Sequence, residues 1–293
     1  HRTINNEPDF ITRPMGWVSK VMNAVGKTPF SRIKTVHADI TADEARALGY
    51  IKGNRKKEEV FTLLKRTTDP TTVYKKQKLD RDDVIDIVDL DVVAFMKKEM
   101  RVMLDEEIAR AILIGDGRLP DSDDKIKEDK IRPIMTDDDL YSIKATVAPT
   151  DKNDPDVKAK AFIRAAIKAR KNYRGSGEPT MFTTEDLLTD CLLLEDNNGR
   201  VIYDSVTKLA TALRVKEIVT VPVMEGAVRT DAGSKKHDVL AVVVNLSDYK
   251  VGADKGGAVN MFDDFDIDYN QQKYLIETRC SGALTRVYSA IAI

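Results

Sequence analysis

Helical and strand patterns follow one another irregularly along this sequence, and that order predicts an α+β fold. Three observations carry the expectation. One long run, from Asp91 to Gly115, repeats its apolar residues at helical spacing. Strand-like segments crowd the last quarter of the chain, in "DVLAVVVNL", "AVNMFDDFDIDY", "QQKYLIETRC" and "RVYSAIAI". Nowhere do strands and helices alternate in the regular units that a doubly wound parallel sheet requires.

The elements follow in order. "RTINNEPDFITRP" shows neither period and holds two prolines, so it reads as an extended arm. "MGWVSKVMNAVG" aligns Trp17, Val18, Val21, Met22 and Val25 on one helical stripe closed by Gly26. "SRIKTVHADI" alternates as a strand, with Ile33, Thr35 and His37 on one face. "TADEARALG" predicts a short helix with a Thr41–Glu44 capping box and a Gly49 stop. "EVFTLL" and "TTVYKKQK" flank the turn "TTDPTT" and predict a long two-stranded hairpin, which is marginal without a supporting surface. On this reading a chain lacking residues 54–76 keeps its core.

The Asp91–Gly115 helix carries Val92, Met96, Met103, Ile108 and Ile112 on its apolar side, with Lys97, Lys98, Arg101 and Asp105 opposite. Its length, roughly 35 Å at ~1.5 Å per residue, is that of a structural spine. "DGRLPDSDDKIKEDK" is a charged loop, and "DPDVKAKAFIRAAIKARKNY" a second helix with Pro155 in its first turn. The strand "TMFT", the helix "TEDLLTDCLLLED", the turn "NNGR", the helix "SVTKLATAL" and the strand "KEIVTVPVM" lead to the closing strands.

Composition narrows the function. Of 293 residues, 47 are basic and 48 acidic, for a net charge of -1, so the whole molecule has no general attraction to DNA or anionic lipid. No run approaches the ~18 apolar residues of a membrane-spanning helix. Cys191 and Cys280 sit in apolar segments and read as buried thiols of an intracellularly made protein. "GKT" at Gly26–Thr28 lacks the upstream glycine of a phosphate-binding loop, and Pro29 forbids the helix that should follow. "DFDID" imitates the start of a calcium loop, but Tyr269 stands at the obligatory glycine and Leu275 at the terminal glutamate. It reads instead as a strand placing Asp264, Asp266 and Asp268 on one face. "GDG" at Gly115–Gly117 follows a helix and reads as its terminator. His1, His37 and His237 are scattered, so neither a metal site nor a cofactor is expected, and no catalytic pairing has a local signature.

The charge is unevenly distributed. Between Ile51 and Arg81 stand ten basic residues, among them Arg55, Lys56, Lys57, Lys65, Arg66, Lys75, Lys76 and Lys78, against four acidic ones. Few stacking aromatics are interleaved, and no base-reading module adjoins. Acidic stretches at 80–91, 121–129, 137–139 and 263–268 supply the complement. A basic hairpin with acidic surfaces elsewhere suits head-to-tail association of one protein with itself, with Asp264, Asp266 and Asp268 as partners for those cations.

The N-arm, the charged hairpin, the spine helix running into "ARAILIGDGR", and "FDDFDIDYNQQKYLIETRCSGALTRVYSAIAI" together resemble the tailed-bacteriophage major capsid proteins. Their fold is named after phage Hong Kong ninety-seven and is also seen in encapsulin shells. The two quoted stretches are the specific part; the rest is similar in layout. The resemblance implies an N-arm at 1–30, an extended loop with flanking strands at 31–88, and a peripheral domain with the spine helix at 89–175. It implies an axial domain at 176–280 and a return to the peripheral domain at 281–293. It also implies an icosahedral head shell of hexamers and pentamers around double-stranded DNA, held without sequence specificity and without a membrane. Portal, scaffold or maturation protease would join during assembly in the bacterial host cytoplasm, and the final location would be the virion. Members often lose an N-terminal segment to that protease, so the encoded chain is expected to begin upstream of His1. The alternatives are an encapsulin-like compartment shell and a soluble DNA-binding protein using the basic hairpin.

Some members weld their shells by a Lys–Asn bond promoted by a glutamate. "DYNQQKYLIETR" is similar to the stretch supplying the latter two, which points to Asn270 and Glu277, with Lys65 the candidate amine. That amine would need desolvation, for which Leu63 and Leu64 are the nearby apolar groups. The simpler reading makes Asn270 a turn residue and pairs Glu277 with a cation such as Arg279.

Overall fold

The computed structural model describes residues 14–39, 47, 48, 52, 55, 62–82, 91–151, 153–196, 198–231, 233–253 and 259–293. The first part of the arm, most of the expected 41–49 helix, Lys56, Lys57 and the acidic residues at 83–90 lie outside them.

Along the chain come α1 (Gly16–Ala24), β1 (Gly26–Thr28), β2 (Ile33–Ala38), β3 (Leu63–Thr68), β4 (Thr71–Asp80), α2 (Val92–Leu113) and β5 (Ser142–Lys144). Then follow α3 (Pro155–Ala169), β6 (Thr180–Thr183), α4 (Glu185–Leu192), α5 (Val206–Leu213), β7 (Ile218–Thr220), β8 (Val228–Thr230) and β9 (Lys236–Asp238). The last are β10 (Ala241–Val244), β11 (Tyr249–Ala253), β12 (Asn260–Asp266), β13 (Gln271–Leu284) and β14 (Ala290–Ala292).

α2 starts where Asp91 caps it, its Oδ1 accepting from the Ala94 N–H at 2.9 Å. It ends at Gly115, whose φ of +93° favours glycine; a Cβ there would also stand 3.2 Å from Pro133 Cγ. Its buried stripe is Met96, Met100, Leu104, Ile108 and Ile112, one residue every four. The expected Val92 and Met103 are half-buried at its margins. The stripe packs on a five-stranded sheet with the path β1-β11-β13-β12, to which β4 adds along the other side of β13. β13 alternates accordingly: Tyr274, Ile276, Thr278 and Cys280 are buried, while Lys273, Leu275, Glu277 and Arg279 face away. α1 closes this core with Trp17, Val18 and Val21. Gly26 opens β1, which runs parallel to β11, so "GKT" is a strand.

A second sheet runs β5-β14-β10-β6-β7 and is covered on both faces, which explains the uninterrupted apolar run Val239–Val244. Phe182, Val242, Val244 and Ala290 join the core beneath α1 and α2. Met181, Ala241, Val243 and Ile291 join a second core with α3, α4 and α5. Each large side chain buried this way contributes about 1.5–3 kcal/mol.

One expectation about pairing is corrected. β3 and β4 flank the Asp69–Pro70 turn but do not pair with each other; β3 pairs with β2, and β4 with β13. Proline cannot donate to a ladder, and Asp69–Pro70 lets the chain pass from one sheet to another. The hairpin therefore has β2 and β3 as its arms, closed at Asp39 and Thr62, where Asp39 N–H donates to Thr62 O at 3.0 Å. β4 is a core strand with Val73 buried, so removal of 54–76 would cut into the core. β12 and β13 belong with α2, while β14 joins β10 and β6 in the second sheet.

Candidate functional site

The β2–β3 hairpin rests on the body through its root. Arg66, one residue from Lys65 on β3, points to the opposite face and is buried. Its Nη2 donates to both carboxylate oxygens of Asp137, at 2.6 and 2.8 Å, with side-chain exposures of 7% and 1%. The guanidinium also lies 4.0 Å from the centre of the Tyr141 ring, and His37 meets the same ring edge-on at 5.9 Å. Thr68 and Ser281 add a hydroxyl contact, and Ser281 donates to the Ser31 carbonyl. Arg66 is thus corrected from an inter-subunit cation to an internal anchor. Asp137 likewise leaves the acidic surface and becomes its counter-ion.

Farther along, support runs out. Leu63 and Leu64 are 55% and 41% exposed, and Val36 stands exposed opposite Lys65. Lys65 itself is exposed, so the two leucines form no desolvating pocket within the subunit. The described part of the hairpin is thus anchored by a buried ion pair at its base and carries exposed apolar groups toward its closure.

A second surface is the outward face of the β4–β13–β12 sheet. Register places Lys78, Lys273 and Asp264 in one row, Lys76, Leu275 and Phe262 in the next, and Tyr74, Glu277 and Asn260 in a third. Cations of β4 and carboxylates of β12 therefore share one face on either side of β13, two strand spacings or ~10 Å apart. Asp266 forms an ion pair with Lys273, whose hydrogen bond holds that carboxyl below the usual carboxylate range and raises the lysine in turn. Asp268 is corrected from strand to turn: β12 ends at Asp266, and Asp268 N–H donates back to Asp266 Oδ1 at 3.2 Å. Lys75 lies half-buried on the α2 side of β4 with Val73 and Gln77. Lys76, Lys78 and Arg55 are exposed as expected.

Tyr74 and Phe262, both exposed, make this face partly apolar; Met261 and Phe265 alternate onto the opposite face of β12, and Ile267 and Tyr269 stand exposed in the turn after it. Sequence reasoning weighed charge alone and passed over these exposed apolar groups; their alternation with aspartates in "MFDDFDIDY" was the available signal.

Of the cross-link candidates, Asn270 sits in the β12–β13 turn with φ +52°. Its Nδ2 donates to Asp82 Oδ1 at 3.4 Å and its carbonyl accepts from Arg81 N–H at 3.1 Å. Glu277 is on the outward sheet face, and Lys65 on the separate β2–β3 sheet. Among the described residues no group of three His, Cys, Asp or Glu side chains gathers where a metal ion would be held.

No protein-family model and no curated relative matches the chain. Solved structures do match. One, labelled Mycobacterium phage Ogopogo, superposes with a TM-score of 0.62 at 11% identity over 93% of this chain and 90% of its own. The capsid of a native GTA particle gives 0.62 at 8% identity, over 100% and 94%. The mature capsid of bacteriophage PhiM1 gives 0.57 at 12%, over 100% and 90%. At these identities the likeness is one of fold. The chain has the α+β fold of phage and GTA capsids, the Hong Kong ninety-seven type, over its whole length.

Proposed function

We propose that this chain is the major capsid protein of a tailed phage, assembling with copies of itself into an icosahedral head of hexamers and pentamers. The observation that carries the reading is whole-length likeness to capsid structures, 100% of this chain in two of the three named. The uncovered hairpin and the mixed apolar and charged face of β4–β13–β12 supply what such assembly needs: surfaces left unfinished in one subunit. In a shell the hairpin of one subunit lies on a neighbour, with Lys65, Lys76 and Lys78 facing carboxylates such as Asp264. The α2 sheet forms the peripheral domain, and the second sheet with α3, α4 and α5 the axial domain.

Double-stranded DNA is the cargo, portal, scaffold and maturation protease are the assembly partners, and the virion is the final location. The phage and GTA sources of the matched structures favour a genome-carrying head over a compartment shell. A soluble DNA-binding protein is disfavoured because Arg66 and Lys75 are withdrawn from the basic surface. Asn270 acts as a turn residue in this reading. Boiling assembled particles in detergent is expected to give one band at the 32.8 kDa monomer mass. A ladder that vanishes in Glu277→Ala would instead establish welding. Sedimentation of the purified chain tests the main reading: megadalton particles support it, and a discrete small oligomer at every concentration refutes it.

A further inference from the structure

Away from the hairpin, a cleft of about 390 Å³ opens between the β8–β9 hairpin, the segment Ala145–Pro149 and the start of α3. Lys158, Arg229, Lys235, Lys236 and His237 line it, against one carboxylate, Asp238. Arg229 is only 8% exposed. Among the described residues its guanidinium has neither an ion pair nor a hydrogen-bonded partner, while His237 already faces Asp231 at 3.1 Å. The neighbouring charge is mixed: Lys144 stands between the Arg229 charge and the carboxylates of Asp137, Asp138 and Asp139. Lys144, occupied by the carbonyls of Asp137 and Ser142 at 2.6 and 3.2 Å, is brought down to about 8 by burial and then by the Arg229 charge. The Arg229 side chain is packed along its length while its guanidinium nitrogens open onto the cleft, so an anion entering there meets an unpaired fork.

The cleft continues into another. Thr146, Ala148 and Pro149 are shared with a groove bearing Lys160, Arg164 and Lys168 of α3. These three are exposed and spaced by four residues, so a cation recurs every ~6 Å along the helix.

We propose that the Arg229 cleft is a phosphate-binding site, filled by one phosphate of a nucleic-acid strand whose neighbouring phosphates lie along Lys160, Arg164 and Lys168. The guanidinium fork suits a phosphate oxygen pair, and nothing in the cleft reads a base. A free phosphate ion would satisfy Arg229 equally but leaves the α3 stripe without a role. The site stands on its own residues, whether or not the chain builds a shell.

The test uses the purified full chain in phosphate-free buffer, with a fluorescent twenty-nucleotide single strand of mixed sequence and inorganic phosphate as probes. Arg229→Gln is expected to weaken strand binding about tenfold and to lower the slope of log affinity against log salt by about one. Replacing Lys160, Arg164 and Lys168 by Gln is expected to weaken it further. Without ligand, Arg229→Gln is expected to melt no lower than the parent, because the guanidinium makes no ion pair or hydrogen bond among the described residues; this separates lost binding from lost folding. Equal strand affinity of parent and Arg229→Gln overturns the site. Stabilisation of the parent by millimolar phosphate, with strand binding indifferent to the α3 triple change, overturns the strand and assigns the cleft to a free ion.

Discussion

Arg66 shows how one side chain settles what a charge count leaves open. As one of ten cations in a basic stretch it resembled surface charge, but the alternation of β3 turns it inward onto Asp137. Removing it strands a buried carboxylate, so Arg66→Ala is expected to cost about 3–5 kcal/mol by urea denaturation. Replacing both partners by apolar residues of similar volume should cost far less. Loss of under ~1 kcal/mol in the single variant would show that the pair is not the anchor described. Lys144 gives a pH signature. Burial first, then Arg229, bring it from 10.5 to about 8. The folded chain therefore releases this proton before the unfolded chain does. Between about pH 8 and 10.5 the unfolded state holds more protons, and the Lys144 contribution to stability rises with pH. Below about 8 both states are protonated and the burial penalty is present in full. Relative to Lys144→Met, the parent should gain stability across that window in phosphate-free buffer; a pH-independent difference would contradict the assignment. The thiols agree with their burial: burial pushes Cys191 and Cys280 up to about 12, so neither should react with a thiol reagent before unfolding.

Among elements, the spine helix and β13 were legible because their signals are local: an Asp cap, a Gly stop and a two-residue alternation. Strand pairing was not. "EVFTLL" and "TTVYKKQK" adjoin in sequence, and adjacency usually means pairing. Here β2 and β13 compete for them from 30 and 200 residues away, and no periodicity within the segment reports that. The short strands β5, β8 and β9 were missed for a related reason, since three residues show no period. The Arg229 cleft was illegible because its cations come from separate segments joined only by folding. The pairing redefines the hairpin experiment. Replacing residues 40–61 by Asn-Gly keeps the Asp39–Thr62 closure and the register of β2 with β3. This variant is expected to retain the parent's melting cooperativity, because none of the described core residues lies in that stretch, yet to form no closed shells. Normal shells from it would remove the hairpin from the assembly mechanism.

For the whole molecule, a net charge of -1 gives no general attraction to a polyanion, and the basic and acidic groups that share the outward sheet face suit the proposed association of copies. Free subunits should bind duplex DNA weakly, without sequence preference, and lose that binding steeply with salt. Retention of a preferred sequence at high salt would contradict this. In the proposed shell, exposed ion pairs across the outward sheet face would each be worth only ~0.2–1 kcal/mol, so closure would rest on repetition and on burial of apolar groups such as Leu63, Leu64, Tyr74 and Phe262. The most direct test of the account is electron microscopy of the purified chain under assembly conditions. The account predicts closed icosahedral shells in which the β2–β3 hairpin of each subunit lies on a neighbour; monomers or open aggregates under every condition, or shells whose hairpins touch only their own subunit, would contradict it.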